Sequence, residues 1–207
     1  MEEMALKSFL TLFVVMDPVG LVPMYVGLSE GFSSEAHRRV ARRAVVVGGA
    51  ILLSFALFGS WLLGHLGITL AAFQVAGGLL LLKIAIDMVF AQRDRSTEAE
   101  AEESEEREDI SVFPLAIPFI AGPGAMASVM ILCGEAGQSH SFGLGIVLAC
   151  MAVVLAMAYF ALRVSSPLSS LLGQTGINVI TRILGVLLAA LAIQYIGDGV
   201  VGFGALG

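Results

Sequence analysis

Asp17 and Pro18 stand side by side in VVMDPVGLVP (residues 14–23), where an acid, two prolines and Gly20 interrupt an otherwise apolar run. Proline lacks the amide hydrogen that a helix interior needs, but its fixed φ suits the first helical position, and aspartate before it is a good cap. The pair predicts a new half-helix beginning at Pro18. AGPGA (121–125) reads the same way, with Gly122 as cap, Pro123 first and Gly124 open to close backbone approach. A helix start presents unpaired amides and the positive end of the peptide dipole, which receives a carboxylate or phosphate. On this reading the glycine-lined break at 122–124 receives an anion and the Asp17 carboxylate receives a cation. One receptor of each sign describes a site for a zwitterion, and an α-amino acid is the simplest one. The expected substrate-binding residues are Asp17, Pro18, Gly20, Gly122, Pro123 and Gly124. Asp17 equally suits a coupling Na⁺ or H⁺. The plain alternative is that Asp17 only caps a kinked helix and the glycines serve packing.

The elements that carry these breaks follow from composition. With 57% hydrophobic residues, 14% charged residues and a mean hydropathy of +0.92 over 207 residues, the chain holds too much apolar surface for a water-soluble domain. Six apolar runs, at 5–28, 40–64, 69–91, 111–133, 143–163 and 178–203, each approach the ~20 residues that cross a ~30 Å hydrocarbon core as a helix. The first opens with Glu2 and Glu3 rather than with cations, which marks a retained span and not a secretory signal. The expected fold is all-α: a polytopic membrane protein of six transmembrane helices. It divides into a three-helix unit (1–92), an acidic linker (93–110) and a second three-helix unit (111–207).

Cations near span ends stay in the cytoplasm. Arg38, Arg39, Arg42, Arg43, Arg93, Arg95, Arg107, Arg163 and Arg182 fall on one side, and only Lys7 on the other, so both termini are expected outside. Trp61, Tyr25 and Tyr159 are expected in interfacial aromatic belts. The net charge of −6 comes from EAEAEESEERED (98–109), with eight acids against Arg107, which reads as a solvated cytoplasmic linker. No basic stripe with interleaved aromatics occurs, so no nucleic-acid partner is expected.

The linker marks a midpoint, and the halves align across it. DPVGLVPMYVGLSEG (17–31) over GPGAMASVMILCGEA (122–136) matches Pro18 with Pro123 and Glu30 with Glu135. GLLLLKIAID (78–87) over GVLLAALAIQ (185–194) matches Gly78 with Gly185 and Ala85-Ile86 with Ala192-Ile193. Three spans per half is an odd number, so the halves are expected as a 3+3 inverted repeat with spans one and four broken, an arrangement used by many secondary transporters.

Further polar residues lie in the spans. Lys83 and Asp87 are four apart, share a helical face and can pair, either as a local packing pair or as a gate or ion relay. Gln74 and Gln194 line a cavity or join helices by hydrogen bonds. Asp17, Lys83, Asp87, Gln74 and Gln194 are the candidate coupling or gating residues. GDGVVG (197–202) satisfies a dinucleotide pattern but follows no strand. Cys133 and Cys150 are too far apart for a redox pair, His37, His65 and His140 fall at separate span ends, and no serine has a credible triad. No metal site, cofactor or enzymatic activity is expected.

MDPVGLVPMYVGL, AGGLLLLKIAIDM and FPLAIPFIAGPGAMASVMIL together resemble the MarC family of six-span inner-membrane proteins over nearly the whole chain. The resemblance implies a bacterial or archaeal plasma-membrane protein grouped with small neutral amino acid transporters and, more distantly, with amino acid exporters of the lysine exporter type. The acidic linker departs from that pattern. The expected function is secondary transport of a small neutral amino acid or similar compact zwitterion by alternating access. Its expected partners are the solute, a coupling Na⁺ or H⁺ and the lipid bilayer. The alternatives are a membrane redox or metal-ion carrier on a similar short fold, which would need cysteines or clustered His and acids at the breaks, and a non-transporting scaffold.

Overall fold

The computed structural model describes residues 2–29, 31–90, 110–139 and 142–204. Glu30, His140 and the acidic linker except Ile110 lie outside them. Among the described residues the chain is helical with no strand: α1 (Glu2–Met16), α2 (Leu21–Leu28), α3 (Ser34–His65), α4 (Leu70–Phe90), an irregular segment Ser111–Ile120, α5 (Pro123–Ser139), α6 (Gly143–Arg163) and α7 (Ser165–Gly204). Five stretches are long and apolar enough to cross a membrane: Glu2–Leu28, which takes in α1 and α2, then α3, α4, α6 and Thr175–Phe203 of α7. Ser111–Ile120 and Pro123–Gly137, bent by 51° at their junction, make a sixth if they form one span.

Local chemistry explains where the helices start and stop. Ser33 is extended and its hydroxyl accepts from the Ala36 amide at 3.2 Å, which caps α3. In the 111–120 segment, Phe113 (φ −121°, ψ 128°) and Ile117 (φ −126°, ψ 125°) are extended. Each precedes a proline, whose ring drives the residue before it out of the helical region. Regular helix therefore resumes only at Pro123, where a proline suits the first position. The 40-residue α7 is interrupted at Gly173 (φ 63°, ψ 167°), a conformation open essentially to glycine alone. The expected sixth span, 178–203, is thus the second part of a longer helix. Arg182, expected between spans five and six, lies on an exposed face of α7 within 175–203.

Two large apolar cores and a small one at Val22, Ala161 and Ile177 hold the described helices together. Leu12, Met16, Leu52, Val129, Leu132, Val147, Val154 and Leu162 bury one large core between α1, α3, α5 and α6, and Leu81, Ala85, Ile131, Leu184, Leu188 and Ala192 bury the other around α4 and α7. Phe58, Trp61, Phe160, Leu187, Ile193 and Val200 point outward, an apolar exterior fitted to hydrocarbon. In hydrocarbon, helices associate through close packing, and small residues permit it. Gly78 of α4 is such a point, because a Cβ there would lie 2.7 Å from the Ala192 carbonyl oxygen and 2.7 Å from Ile196 Cγ1. Gly185 of α7 is another, with Val89 Cγ2 at 3.1 Å and the Ala85 carbonyl oxygen at 3.2 Å.

One expectation about an aromatic changes. Tyr25 is not an interfacial aromatic: it is fully buried, and its hydroxyl donates to the His37 carbonyl oxygen, so its polar end is satisfied inside the protein. GDGVVG is helical throughout, which removes the turn a dinucleotide site requires. Trp61 is exposed and packs its ring 4.2 Å from that of His65.

Candidate functional site

Asp17 sits where α1 ends. Its amide donates to the Phe13 carbonyl oxygen at 3.1 Å and its own carbonyl accepts from the Leu21 amide at 3.2 Å, so hydrogen bonding passes through the turn into α2. Its φ of 37° lies in the left-handed region, uncommon for a residue with a side chain and best tolerated by Asp and Asn. That turn folds the carboxylate back over the next residues, and Oδ1 accepts from the Gly20 amide at 3.0 Å. Gly20 leaves room for this arrangement, because a Cβ there would collide with Asp17 Oδ2 and displace the carboxylate. Pro18 is buried beneath the turn.

The other side of the carboxylate faces α7, where the Thr181 hydroxyl lies beside it. Thr181 Oγ1 is buried and has no hydrogen-bond partner within normal geometry. Among the described residues no ion pair forms at Asp17. An acid with one amide on one oxygen, a hydroxyl beside it and no cation at hand is equipped to take a positive group.

The second break lies alongside. Val15, two residues before Asp17, comes to 3.7 Å of the position a Gly124 Cβ would occupy. The first regular bond of α5 runs from the Met126 amide to the Gly122 carbonyl at 3.0 Å, which leaves the Gly124 and Ala125 amides ahead of the helical ladder. Gly122 packs against the Pro118 carbonyl oxygen, and Pro123 is exposed. The side of Gly124 where a Cβ would project is filled by Leu81 and Ile84, both at 2.8 Å, so that face serves packing against α4.

The structure brings Asp17, with the Gly20 amide on its carboxylate, to Thr181, and sets Gly124 next to Val15 near the same end of α1; Gly122 meets Pro118 and Pro123 is exposed. The other candidates lie elsewhere. Lys83 pairs with Asp87 at 3.0 Å on an outer face of α4. Gln194 is exposed and donates to Asp198 at 2.7 Å. Gln74 is buried and reaches Glu135 at 3.4 Å. Glu135 also binds Lys7, Nζ to Oε2 at 2.6 Å. Thr181, Lys7 and Glu135 had no assigned role in the sequence. A hydroxyl within an apolar run carries no spacing signal, whereas Lys7 and Glu135, a cation at the start of one span and an acid at the end of another, were available as a pair on one side of the membrane.

Among the described residues no group of three or more His, Cys, Asp or Glu is placed to hold a metal ion. A cavity of about 400 Å³ opens between Val26, Phe32, His37 and Ser166, and one of about 240 Å³ between Ser60, Leu63, Leu70 and Gly134. Neither is lined by Asp17 or Gly122.

The family model described as MarC family integral membrane protein matches residues 3–203. The chain belongs to the MarC family. It is 36% identical to a membrane protein of Methanocaldococcus jannaschii over 94% of this chain and 95% of the relative. It is 38% identical to the membrane protein YvbG of Bacillus subtilis, over 94% and 92% of the two chains. With the membrane protein YhcE of Escherichia coli it shares 37% identity over 95% and 91%. Bacteria and archaea thus both hold MarC proteins of this length. No solved structure matches the chain.

Proposed function

We propose that this MarC protein is a secondary transporter of small neutral amino acids or similar compact zwitterions, working by alternating access and coupled to a Na⁺ or H⁺ gradient. The observation that carries the reading is Asp17: an acid inside an apolar span, held in a left-handed turn by the Gly20 amide and facing the buried Thr181 hydroxyl with no cation beside it. A strained, half-buried carboxylate at a helix break costs folding energy, and such costs concentrate where a ligand is bound. The carboxylate receives the solute ammonium or a coupling cation. The amides that open α5, next to the end of α1, receive the solute carboxylate.

The reading takes the six spans as a 3+3 inverted repeat with the first and fourth broken. Reciprocal contacts between α4 and α7 support it. An offset of 107 carries Gly78 to Gly185, Ala85 to Ala192 and Val89 to Ile196. Gly78 packs on Ala192 and Ile196, while Gly185 packs on Ala85 and Val89. Contacts exchanged in this way are the mark of a two-fold axis. Transporters built on such an axis hold solute where the repeats meet and rock one against the other. The bilayer is the plasma membrane of a bacterium or archaeon, with both termini outside.

Purified protein screened by thermal shift against small neutral amino acids, with and without Na⁺ and across pH, tests the reading. Stabilisation by one chemical class of zwitterion is the expected result. The absence of stabilisation by every amino acid under all conditions argues for a non-transporting scaffold.

A further inference from the structure

Ser8 on α1, Ser128 on α5 and Tyr195 on α7 are all fully buried, and none of their hydroxyls has a hydrogen-bond partner within normal geometry. Hydrocarbon and packed apolar side chains cannot satisfy such groups, so inside a membrane they belong where water or a polar ligand reaches them. The three converge on one seam. Ser8 and Thr11 are three residues apart and share a face of α1. Further along that face, Val15 meets Gly124 of α5. Ser128 is one turn past Gly124 and Glu135 two turns past Ser128, so the three share a face of α5 that meets α1 at Val15 and Lys7 and α4 at Leu81, Ile84 and Gln74. Tyr195 places α7 on the same seam, with its hydroxyl beside Thr11. Four turns earlier on α7, Thr181 lies beside Asp17.

The seam is closed at the N-terminal end of α1 by the Lys7–Glu135 ion pair, whose side chains remain 46% and 27% exposed. Gln74 of α4 steadies the other carboxylate oxygen. Lys7 and Gln74 come from the first three-span unit and Glu135 from the second, so the pair ties the two units together across their boundary. An ion pair with this little protein packed around it, near the end of its span, is easily exchanged for water from the aqueous face, which suits a contact that must open.

We propose that this hydroxyl-lined seam is the hydrated solute pathway from Asp17 to the N-terminal face of α1, and that the Lys7–Glu135 ion pair is its gate. The assignment rests on the transport reading, but its test does not require transport. The probe is Thr11→Cys in full-length protein carrying Cys133→Ala and Cys150→Ala, reconstituted in vesicles and labelled by a membrane-impermeant maleimide from each face in turn. With the ion pair intact, labelling is slow from both faces. Glu135→Gln and Lys7→Gln, made separately, are each expected to accelerate labelling at least about fivefold, the size of a ~1 kcal/mol contact, and from the face bearing residue 7 only. The exchange Lys7→Glu with Glu135→Lys restores the slow rate. Unchanged labelling in both single variants, a rise equal from both faces, or a rise that the exchange leaves in place overturns the gate. Gated labelling in a chain that carries no solute refutes the transport reading alone.

Discussion

Alanine at Gly78 or Gly185 tests the packing that pairs α4 with α7. A Cβ at 78 meets backbone, 2.7 Å from the Ala192 carbonyl oxygen and 3.1 Å from the Ile196 amide nitrogen. At 185 it meets Met88 Cβ at 2.9 Å and the Ala85 carbonyl oxygen at 3.2 Å. Neither neighbour is the tip of a flexible side chain, so the helices themselves must separate. Overpacking of this kind costs ~1–3 kcal/mol, against a gain of ~0.5–1 kcal/mol for replacing glycine within a helix. The net loss, ~1–2 kcal/mol, lowers the unfolding temperature by about 2–8 °C for a chain of this size. Gly197 is the internal control on the same helix, since a Cβ there meets nothing within 4 Å. Gly197→Ala is therefore expected to be neutral or stabilising. Thermal unfolding in detergent, followed by circular dichroism, separates the cases. If Gly78→Ala and Gly185→Ala are as stable as Gly197→Ala, or if only one of the two loses stability, the reciprocal packing is refuted.

Gly20→Ala places a methyl where Asp17 Oδ2 lies, so the carboxylate must swing away; solute-dependent stabilisation is expected to vanish, and its survival would separate Asp17 from the site. Thr181→Val keeps the shape and removes the hydroxyl beside the Asp17 carboxylate, so it should leave folding intact while weakening solute or cation affinity about tenfold; an unaltered titration assigns Thr181 to packing. Lys83→Gln removes an exposed pair on one helix and is expected to alter stability by less than ~0.5 kcal/mol and to leave solute binding unchanged; a lost response to solute would return Lys83 to the mechanism.

The membrane class and helical content were legible because composition and apolar run length decide them. The second interruption lies where it was expected, with regular helix from Pro123, but at the first, helix was expected from Pro18 and begins only at Leu21, because Asp17 turns left-handed and residues 18–20 form a turn instead of the first helical positions. The form of the fourth span was not legible: Pro114 and Pro118 lie four apart in an uninterrupted apolar run, and run length does not register that Phe113 and Ile117 are thereby driven extended. Tyr25 was misplaced because an aromatic near a span end has two uses, and only the fold shows that its hydroxyl meets the His37 carbonyl rather than headgroups. Asp17 announced itself by its cost. Thr181 did not, since threonine is common in apolar helices and its value here depends on α7 crossing the end of α1. Lys7 and Glu135, 128 residues apart in the chain, meet only because α5 runs back along α1.

Uptake of labelled small neutral amino acids by vesicles holding the parent protein or Asp17→Asn is the most direct measurement. Asparagine preserves the size of the side chain and an oxygen for the Gly20 amide while removing the charge. Saturable uptake by the parent, driven by a Na⁺ or pH gradient and absent from a normally folded Asp17→Asn protein, is the predicted result. Equal uptake by the two proteins, or none by either under any gradient, contradicts a charged receptor at the first break.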